Sequence, residues 1–283
     1  MRNKFLINTK SAGIVLDEVV VKTANRNRVE QADSAGSDDR TDSNMNHADR
    51  VAQTQKLLDR AIASAWYTVK SDRRPPALTP IRWIWRLAGL YHLCHSTPQL
   101  MEEAAQHFAS ANRQSLAQWA LKKAKEEAGH DQLALLDIQS MGYEAQAVVE
   151  ALVPPSAKAL VDHFTRTVQN SDPIDCVGYS YTAERLAICR GLEYIQRIEI
   201  LLPSGKNATR CLRVHSAIGT DVEHVEEAVE MIAELTPNEQ TRVAKACYQA
   251  ALLRFSPPIK DYISDEEIQN VLKPFKLLEP INN

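Results

Sequence analysis

The sequence predicts one all-α domain over residues 47–283, preceded by a flexible N-terminal leader over residues 1–46. Three observations predict this fold class. Apolar residues recur at three- and four-residue intervals from position 51 onward, which is the period of a helix that packs one face into a core. Alternating strand patterns are almost lacking after residue 21. Prolines, glycines and capping residues divide the chain into segments of helical length.

The leader is predicted not to fold by itself. Residues 25–46 are mostly Asn, Asp, Arg, Ser, Gly, Gln and Glu, so they cannot bury enough apolar surface to offset the entropy lost on ordering. A short apolar run at residues 14–21 could pair as a strand or pack as an extended arm. We expect function to lie outside the leader.

The first half of the domain is predicted to hold four helices. The first covers residues 51–66, and an apolar, tryptophan-rich helix follows over residues 80–92. Thr97-Pro98 has the pattern of a capping residue followed by proline in the first turn, which predicts the start of a third helix. Asn112 is predicted to cap a fourth helix that ends at Gly142.

Prolines, serines and glycines divide the second half of the domain into further helices. The predicted helices are a short one before Pro154-Pro155, longer ones over residues 157–168, 174–202, 209–235 and 237–255, and a last short helix from Ser264.

Composition excludes several classes of protein. The net charge is -3, and no basic cluster exceeds Arg73-Arg74, so a nucleic-acid groove or a membrane surface is not expected as a partner. No segment approaches the roughly 18 apolar residues of a membrane span, and the N-terminus lacks a secretory signal. The cysteines are odd in number and scattered, which predicts a reduced, cytoplasmic protein without disulfides; they are Cys94, Cys176, Cys189, Cys211 and Cys247.

Two acid-x-x-His pairs are candidate metal ligands. Glu127 and His130 stand three residues apart in one helical run, and Asp221 and His224 repeat the spacing in another. Residues three apart share a helix face, so each pair can point toward one ion. Glu184 lies in a third run between them. Carboxylates and imidazoles on facing helices are the ligands with which bundle proteins hold two iron or manganese ions, so the sequence predicts a dinuclear metal site.

A plainer interpretation is that these are solvated surface pairs. Apolar residues that follow His130 and His224, and those that surround Glu184, place all three on buried faces, where an imidazole or carboxylate needs partners. Histidines without such context, at positions 92, 95, 107 and 163, are read as packing or surface residues. Glutamates 126, 223, 226 and 227 are expected to face solvent, although 223 or 227 could substitute as a ligand if the helix register shifts.

The order of these residues resembles the haem-oxygenase-like diiron oxidase and oxygenase family over roughly residues 51–255. The resemblance rests on Glu127-x-x-His130, on Glu184 in Gly-Tyr-Ser-Tyr-Thr-Ala-Glu, and on Asp221-x-x-His224 preceded by a histidine. It implies a seven-helix bundle that holds two irons between three helices through six side chains. It also implies that Glu184 is the bridging carboxylate.

One feature departs from that family. Its last helix usually carries a histidine four residues before the acid, where this chain has Ala217, and the nearest histidine is His215. On a regular helix His215 and His224 would lie on opposite sides. We therefore expect His215 to reach the metal through a π-bulge or distorted turn near Gly219. The alternative is an outward His215, with water or a glutamate completing the site.

The resemblance also implies a reaction class. Two Fe(II) ions, with manganese as an alternative, would use O2 as co-substrate to oxidise a small amine, amino acid or fatty-acid-like molecule. An electron donor and a homodimer are left open. Two other interpretations also stay open: a metal-free enzyme similar to thiaminase II or to the cofactor-free quinone-forming oxidase, acting through Cys176 or Cys189, and a non-catalytic helical interaction protein.

Overall fold

The computed structural model describes residues 46–69 and 75–277. Regular structure in these ranges is helical, apart from one isolated antiparallel bridge between Tyr143 and Lys276. The all-α prediction is therefore confirmed for the described part of the chain. The predicted leader, including its candidate strand, lies outside the described residues except for Asn46, whose side chain caps the first helix.

Twelve α-helices and two 3-10 helices are described. The α-helices are α1 (His47–Thr68), α2 (Pro80–Ser110), α3 (Gln114–Glu127), α4 (His130–Ser140), α5 (Ala145–Ala151), α6 (Pro155–Val168), α7 (Asp175–Ala187), α8 (Leu192–Leu201), α9 (Arg210–Val214), α10 (Asp221–Ala233), α11 (Pro237–Phe255) and α12 (Asp265–Leu272). The 3-10 helices are Ile259–Asp261 and Lys273–Phe275.

Helix α2 is continuous where the sequence predicted a break. The prediction that Thr97-Pro98 starts a new helix was wrong, because Pro98 lies inside α2. Two hydroxyls just before the proline bond back to the helix: Ser96 donates to the carbonyl of His92 at 3.0 Å, and Thr97 to that of Leu93 at 2.8 Å. Buried residues on both sides of the proline, Cys94 before it and Leu100 and Met101 after it, hold the helix in the core despite the missing N–H.

Asn112 does not cap the helix that follows it. It has φ 59, in the left-handed region where asparagine is tolerated, and it lies just beyond the end of α2. Arg113 is the N-cap of α3, without a side-chain capping bond. Thr236 and Ser264 each begin their helix with a capping box.

Three predicted helices are each divided in two. The run over 112–142 breaks at residues 128–129, the run over 174–202 at 188–191, and the run over 209–235 at 215–220. Two of these breaks lie beside predicted metal ligands. The helical periodicity was correct on each side, but it did not indicate the breaks.

Two apolar clusters form the core, and α2 contributes to both. The first includes Phe108 of α2, Tyr181 of α7 and Ile232 of α10. The second includes Leu87 of α2 and Ile138 of α4. After α3 the chain passes from the first cluster to the second at the α3–α4 break and again between α7 and α8, and it returns to the first between α5 and α6 and between α9 and α10. The candidate site therefore lies where the two clusters meet.

Two further expectations concern membrane-spanning helices and disulfide bonds. In the described ranges, no helix is both long and apolar enough to cross a membrane. All five cysteines of the chain are described, and all five are free thiols. The prediction of no disulfide agrees with this.

Candidate metal centre

Four of the six predicted ligands form a series of contacts at the break between α3 and α4. Nδ1 of His130 lies 3.0 Å from Oε2 of Glu127. The same oxygen lies 3.8 Å from Nε2 of His215, and the two imidazole rings meet edge to face with centroids 4.9 Å apart. Nδ1 of His215 lies 3.3 Å from Oδ1 of Asp221. Three separate chain segments thus converge on one buried point.

Glu184 and His224 extend the same series. Nδ1 of His224 lies 3.9 Å from Oδ1 of Asp221 and 3.5 Å from Oε1 of Glu184. These three residues are only 5%, 1% and 6% exposed, respectively. The structure therefore brings all six predicted residues together. Their role as metal ligands stays a prediction.

The first acid-x-x-His pair does not share one helix. Glu127 is the last residue of α3 and His130 is the first of α4. Between them Gly129 has φ 87, a backbone conformation that costs an L-residue with a side chain about 1–2 kcal/mol. The expectation that Glu127 and His130 share one helix face was wrong. The helix breaks between them, and a turn at Gly129 brings the two side chains into contact.

His215 lies in a non-helical segment, residues 215–220, between α9 and α10. A Cβ added to Gly219 would lie 1.8 Å from the carbonyl oxygen of Val214, so only glycine fits this turn. The turn is also tied down by a bond from the Ala217 N–H to the Arg190 carbonyl, 3.0 Å. The segment is distorted in the region where the sequence required a distortion, and the His215 ring faces Asp221.

Three groups of donor atoms within the described ranges are compact enough to hold an ion. One group is Glu127, His130 and His215, and another is Glu127, Glu184 and His224; the third is Cys94, Cys211 and His215. Glu127 is common to the first two groups. It therefore occupies the position between them, where the resemblance led us to expect Glu184.

Unpaired buried atoms test whether the site fits metal ions. Oε2 of Glu184, Oδ2 of Asp221 and Nδ1 of His224 are buried without a hydrogen-bond partner in the described part of the chain. Buried polar atoms are normally satisfied. Two ligand atoms bound to one ion at about 2.1 Å lie roughly 3.0–3.4 Å apart. The observed separations of 3.0 Å for Glu127–His130, 3.5 Å for Glu184–His224 and 3.9 Å for Asp221–His224 are close to this. The donor set fits divalent metal ions.

Protonation in the metal-free site follows from the same contacts. Burial tends to raise the pKa of Glu127, but the hydrogen bond from His130 and the charge of His215 lower it to about 2. Burial tends to lower the pKa of His215, but its hydrogen bonds to Asp221 and Cys94 raise it well above the usual value. Burial tends to lower the pKa of His224 as well, but the hydrogen bond to Glu184 and the charges of Glu184 and Glu126 together raise it.

Lys123 is a buried cation that we did not predict in the site. Its Nζ lies 2.6 Å from Oε1 of Glu184 and 3.8 Å from Oε2 of Glu126, and its side chain is 3% exposed. Lys123 precedes Glu127 by four residues on α3 and follows Trp119 by four. The i,i+4 spacing on a buried stripe was the signal that could have identified it.

Glu126 also differs from its prediction. It was expected to face solvent, but its side chain is only 28% exposed and its Oε2 lies 3.3 Å from Nε2 of His224. Glu223 and Glu226 are exposed as predicted. Glu227, which is half-buried, pairs with Lys122 on the surface of α3. A fourth carboxylate, that of Glu126, thus belongs to the site.

Comparison with known proteins identifies the fold. No known family profile matches the chain, and no curated protein matches it. One solved structure is similar, a domain of unknown function with a haem-oxygenase-like fold from Shewanella denitrificans. The TM-score is 0.55 and the identity 20%, with 80% of this chain and 90% of that chain covered. This chain has a haem-oxygenase-like fold.

The haem-oxygenase-like fold was the fold that the ligand motifs implied, and that expectation is confirmed. The similar structure is described as a domain of unknown function, so it supplies no activity. At this level of identity the likeness concerns the fold alone. Membership of the diiron oxidase family stays a prediction.

Within the haem-oxygenase-like bundle, two adjoining cavities lead to the candidate site. The inner cavity, about 120 Å3, is lined by four predicted ligands, Glu127, Glu184, His215 and Asp221, and by apolar side chains. The outer cavity, about 310 Å3, is lined by aromatic residues and arginines. Mostly apolar cavities with a few polar groups are typical of small-molecule sites.

Proposed function

We propose that this protein is a non-haem diiron oxidase or oxygenase that uses O2 to oxidise a small organic substrate. One observation carries the proposal: six side chains that are all carboxylates or imidazoles, from separate segments, lie in one buried series of contacts with unpaired donor atoms. Such a set is costly to bury unless it binds cations. Iron or manganese suits oxygen and nitrogen donors without thiolates.

The residues would hold the ions in two groups. His130 and His215 would bind one ion, and Glu184, Asp221 and His224 the other, with Glu127 between them. The four carboxylates of the site, those of Glu126, Glu127, Glu184 and Asp221, outnumber the one ammonium of Lys123, so divalent cations would offset the remaining negative charge. When bound and reduced, two irons held by these residues would supply electrons for O2 activation. The apolar walls of the inner cavity would exclude water and orient the substrate.

An anaerobic titration with ferrous ion tests the proposal. We expect two ferrous ions per chain, followed by a transient visible absorption when oxygen is added. Glu223→Gln serves as a matched control, because Glu223 is exposed on the same helix as Asp221 and His224. A chain that binds no iron, or one that binds two and then consumes no oxygen, would overturn the proposal.

A metal-free enzyme is the second candidate, and the Lys123–Glu184 ion pair favours it, because a buried ammonium already partly neutralises the carboxylates. The cysteines do not favour it. Burial raises the pKa of Cys189 to about 11 and that of Cys176 further, so both are protonated thiols at neutral pH and poor nucleophiles. Metal analysis of protein expressed with iron separates the two candidates.

The third interpretation, a non-catalytic interaction protein, does not explain why the site buries several carboxylates. Such a protein has no need to desolvate Glu127, Glu184 and Asp221 together. A cytoplasmic location, an electron donor and a homodimer stay predictions. We propose a small-molecule substrate that enters through the adjoining cavities.

A further inference from the structure

Two arginines line the junction between the inner and outer cavities. Arg190 follows the end of α7, and Arg254 lies near the end of α11. Both line both cavities, together with four leucines, namely Leu90, Leu93, Leu160 and Leu186. A molecule that reaches the predicted ligands through the outer cavity would therefore pass these two guanidinium groups.

Arg190 and Arg254 are half-buried, and they lack the carboxylate partners that the buried Arg82 and Arg185 have. Arg185 binds Asp59 through two nitrogens, at 2.8 and 2.9 Å, and Arg82 pairs with Asp265 at 2.6 Å. Within residues 46–69 and 75–277, neither Arg190 nor Arg254 forms an ion pair with a carboxylate. Even partial withdrawal of a guanidinium from water without a counter-ion is unfavourable.

Charge repulsion adds to this cost. Burial and then the nearby charge of Arg190 lower the pKa of Arg254 to about 10. Arg254 therefore stays protonated at neutral pH, and two like charges face one cavity. Arg86 adds a third positive charge to the outer cavity, where it donates a hydrogen bond to the Tyr194 hydroxyl at 3.1 Å. An anion bound at the junction would relieve both effects.

We propose that Arg190 and Arg254 bind the carboxylate of an apolar organic acid, which is the substrate of the candidate metal centre. The planar guanidinium fork matches a carboxylate in two-point hydrogen bonding. The leucines beside it, and Met101 and Phe164 deeper in the inner cavity, would contact the apolar part of the molecule. The carboxylate is held at the junction, and the apolar end points toward the predicted ligands.

The two arginines favour one of the substrate classes that the resemblance left open, the apolar monocarboxylic acids. A cationic amine is repelled by two guanidinium groups. The ammonium of an α-amino acid would lie directly beside them. A monocarboxylic acid with an apolar chain or ring has neither problem. The reaction of this acid rests on the proposed function, but its binding does not, because the arginines are present without metal.

Calorimetric titration of the metal-free, full-length protein with octanoate tests the proposal. We expect octanoate to bind, and octan-1-ol and octylamine to bind at least tenfold more weakly. Arg190→Gln and Arg254→Gln should each weaken octanoate binding about tenfold and leave octanol binding unchanged, since each variant removes a charged hydrogen-bond donor to the carboxylate. The octanoate affinity of Arg254→Lys should lie between those of the wild type and Arg254→Gln. Arg197→Gln is the matched control, because Arg197 is a surface residue beside Glu193.

Several outcomes would overturn the assignment. No binding of octanoate to the wild-type protein would do so. Octanoate affinities of Arg190→Gln and Arg254→Gln equal to that of the wild type, with unchanged circular dichroism, would do so as well. Tighter binding of octyl phosphate than of octanoate would assign the site to a phosphate ester instead. Ferrous titration of Arg254→Gln should still give two ions per chain. Failure of the metal centre and failure of the carboxylate site are therefore separate results.

Discussion

The ammonium of Lys123 lies 2.6 Å from a carboxylate oxygen of Glu184, inside a site whose other side chains are carboxylates and imidazoles. In the metal-free protein this cation offsets part of the negative charge of Glu184 and Glu126. The positive charge of Lys123 repels a cation bound to Glu184, whether that cation binds Oε1 or the unpaired Oε2. Lys123 is therefore a competitor of the metal.

Replacing the lysine tests this competition. We expect Lys123→Met to destabilise the metal-free protein by about 3–5 kcal/mol, because it leaves buried carboxylates without their cation. Manganese or ferrous affinity should rise about tenfold or more, since a close positive charge is removed. Unfolding midpoints with and without Mn2+ measure both effects. Lys122→Gln, on the exposed side of the same helix, is the control. Unchanged metal affinity in Lys123→Met would contradict the competition.

Glu127 and Glu184 can be distinguished as bridging residues. Glu184→Ala is expected to prevent dinuclear assembly and leave the helical fold intact, since alanine is well tolerated in a helix. If Glu184 bridges, this variant loses both ions. If Glu127 bridges, Glu184→Ala keeps one ion and Glu127→Ala loses both. Iron analysis with circular dichroism reports the result, and two irons in either variant would exclude that residue as a bridge.

The turn that carries His215 gives a third prediction. His215→Gln should bind about one iron fewer per chain. Gly219→Ala should do the same without touching a ligand, because its Cβ would clash with the carbonyl of Val214 and move the turn. Ile218→Ala is the control, since Ile218 lies in the same segment and is 50% exposed. Hydrogen exchange over residues 213–230 should slow when ferrous ion is added. Two irons in His215→Gln would show that His215 is not a ligand.

The six candidate ligands could be predicted from sequence because their residue types and spacing report the chemistry directly. Glu127 and His130 were paired for the wrong geometric reason, since the helix breaks between them. Glycine is tolerated inside helices, so Gly129 was not a sufficient signal for that break. The break at residues 188–191 gave no such signal, whereas the distortion at residues 215–220 was expected from the spacing of His215 and Asp221 and from Gly219.

The other charged residues of the site were missed for a different reason. Whether Lys123 or Arg254 is buried depends on which helices cover it, and helical periodicity gives only the face on which a residue lies. Both lie on apolar stripes, Lys123 after Trp119 and Ala120, and Arg254 after Ala250 and Ala251. A charged residue inside such a stripe indicates a buried partner or a ligand, and this signal could have identified them.

A stability prediction concerns the ion pair that holds α1 against α7. Asp59 accepts two hydrogen bonds from Arg185 and one from the Tyr181 hydroxyl, at 2.8, 2.9 and 3.0 Å. Asp59→Ala should cost about 3–5 kcal/mol, because it leaves a buried guanidinium unpaired. The double variant Asp59→Leu, Arg185→Met should lose much less. Denaturant unfolding measures both. Equal losses in the single and the double variant would show that packing, not the unpaired charge, sets the cost.

Metal affinity should rise with pH. The pKa values of His215 and His224 are raised in the metal-free protein, that of His215 well above its usual value, so protons compete more strongly for nitrogens that a metal ion needs. Each protonated imidazole can lower metal affinity up to tenfold for each pH unit below its pKa. Titrations with Mn2+ between about pH 6 and 9 should therefore show increasing affinity, with proton release on binding. His215→Gln should reduce the slope by about one proton.

The stability of the metal-free protein should change in the opposite direction over this range. A histidine whose pKa is raised by folding contributes stability that is complete below its ordinary pKa of 6.5 and is lost as pH rises through the raised value. Glu127, with its pKa lowered to about 2, contributes stability that is complete above 4.5 and is lost only as pH falls toward 2. Unfolding temperatures should thus fall with rising pH without metal, and rise with Mn2+ present. Parallel trends in the two conditions would mean that metal does not displace protons from His215 and His224.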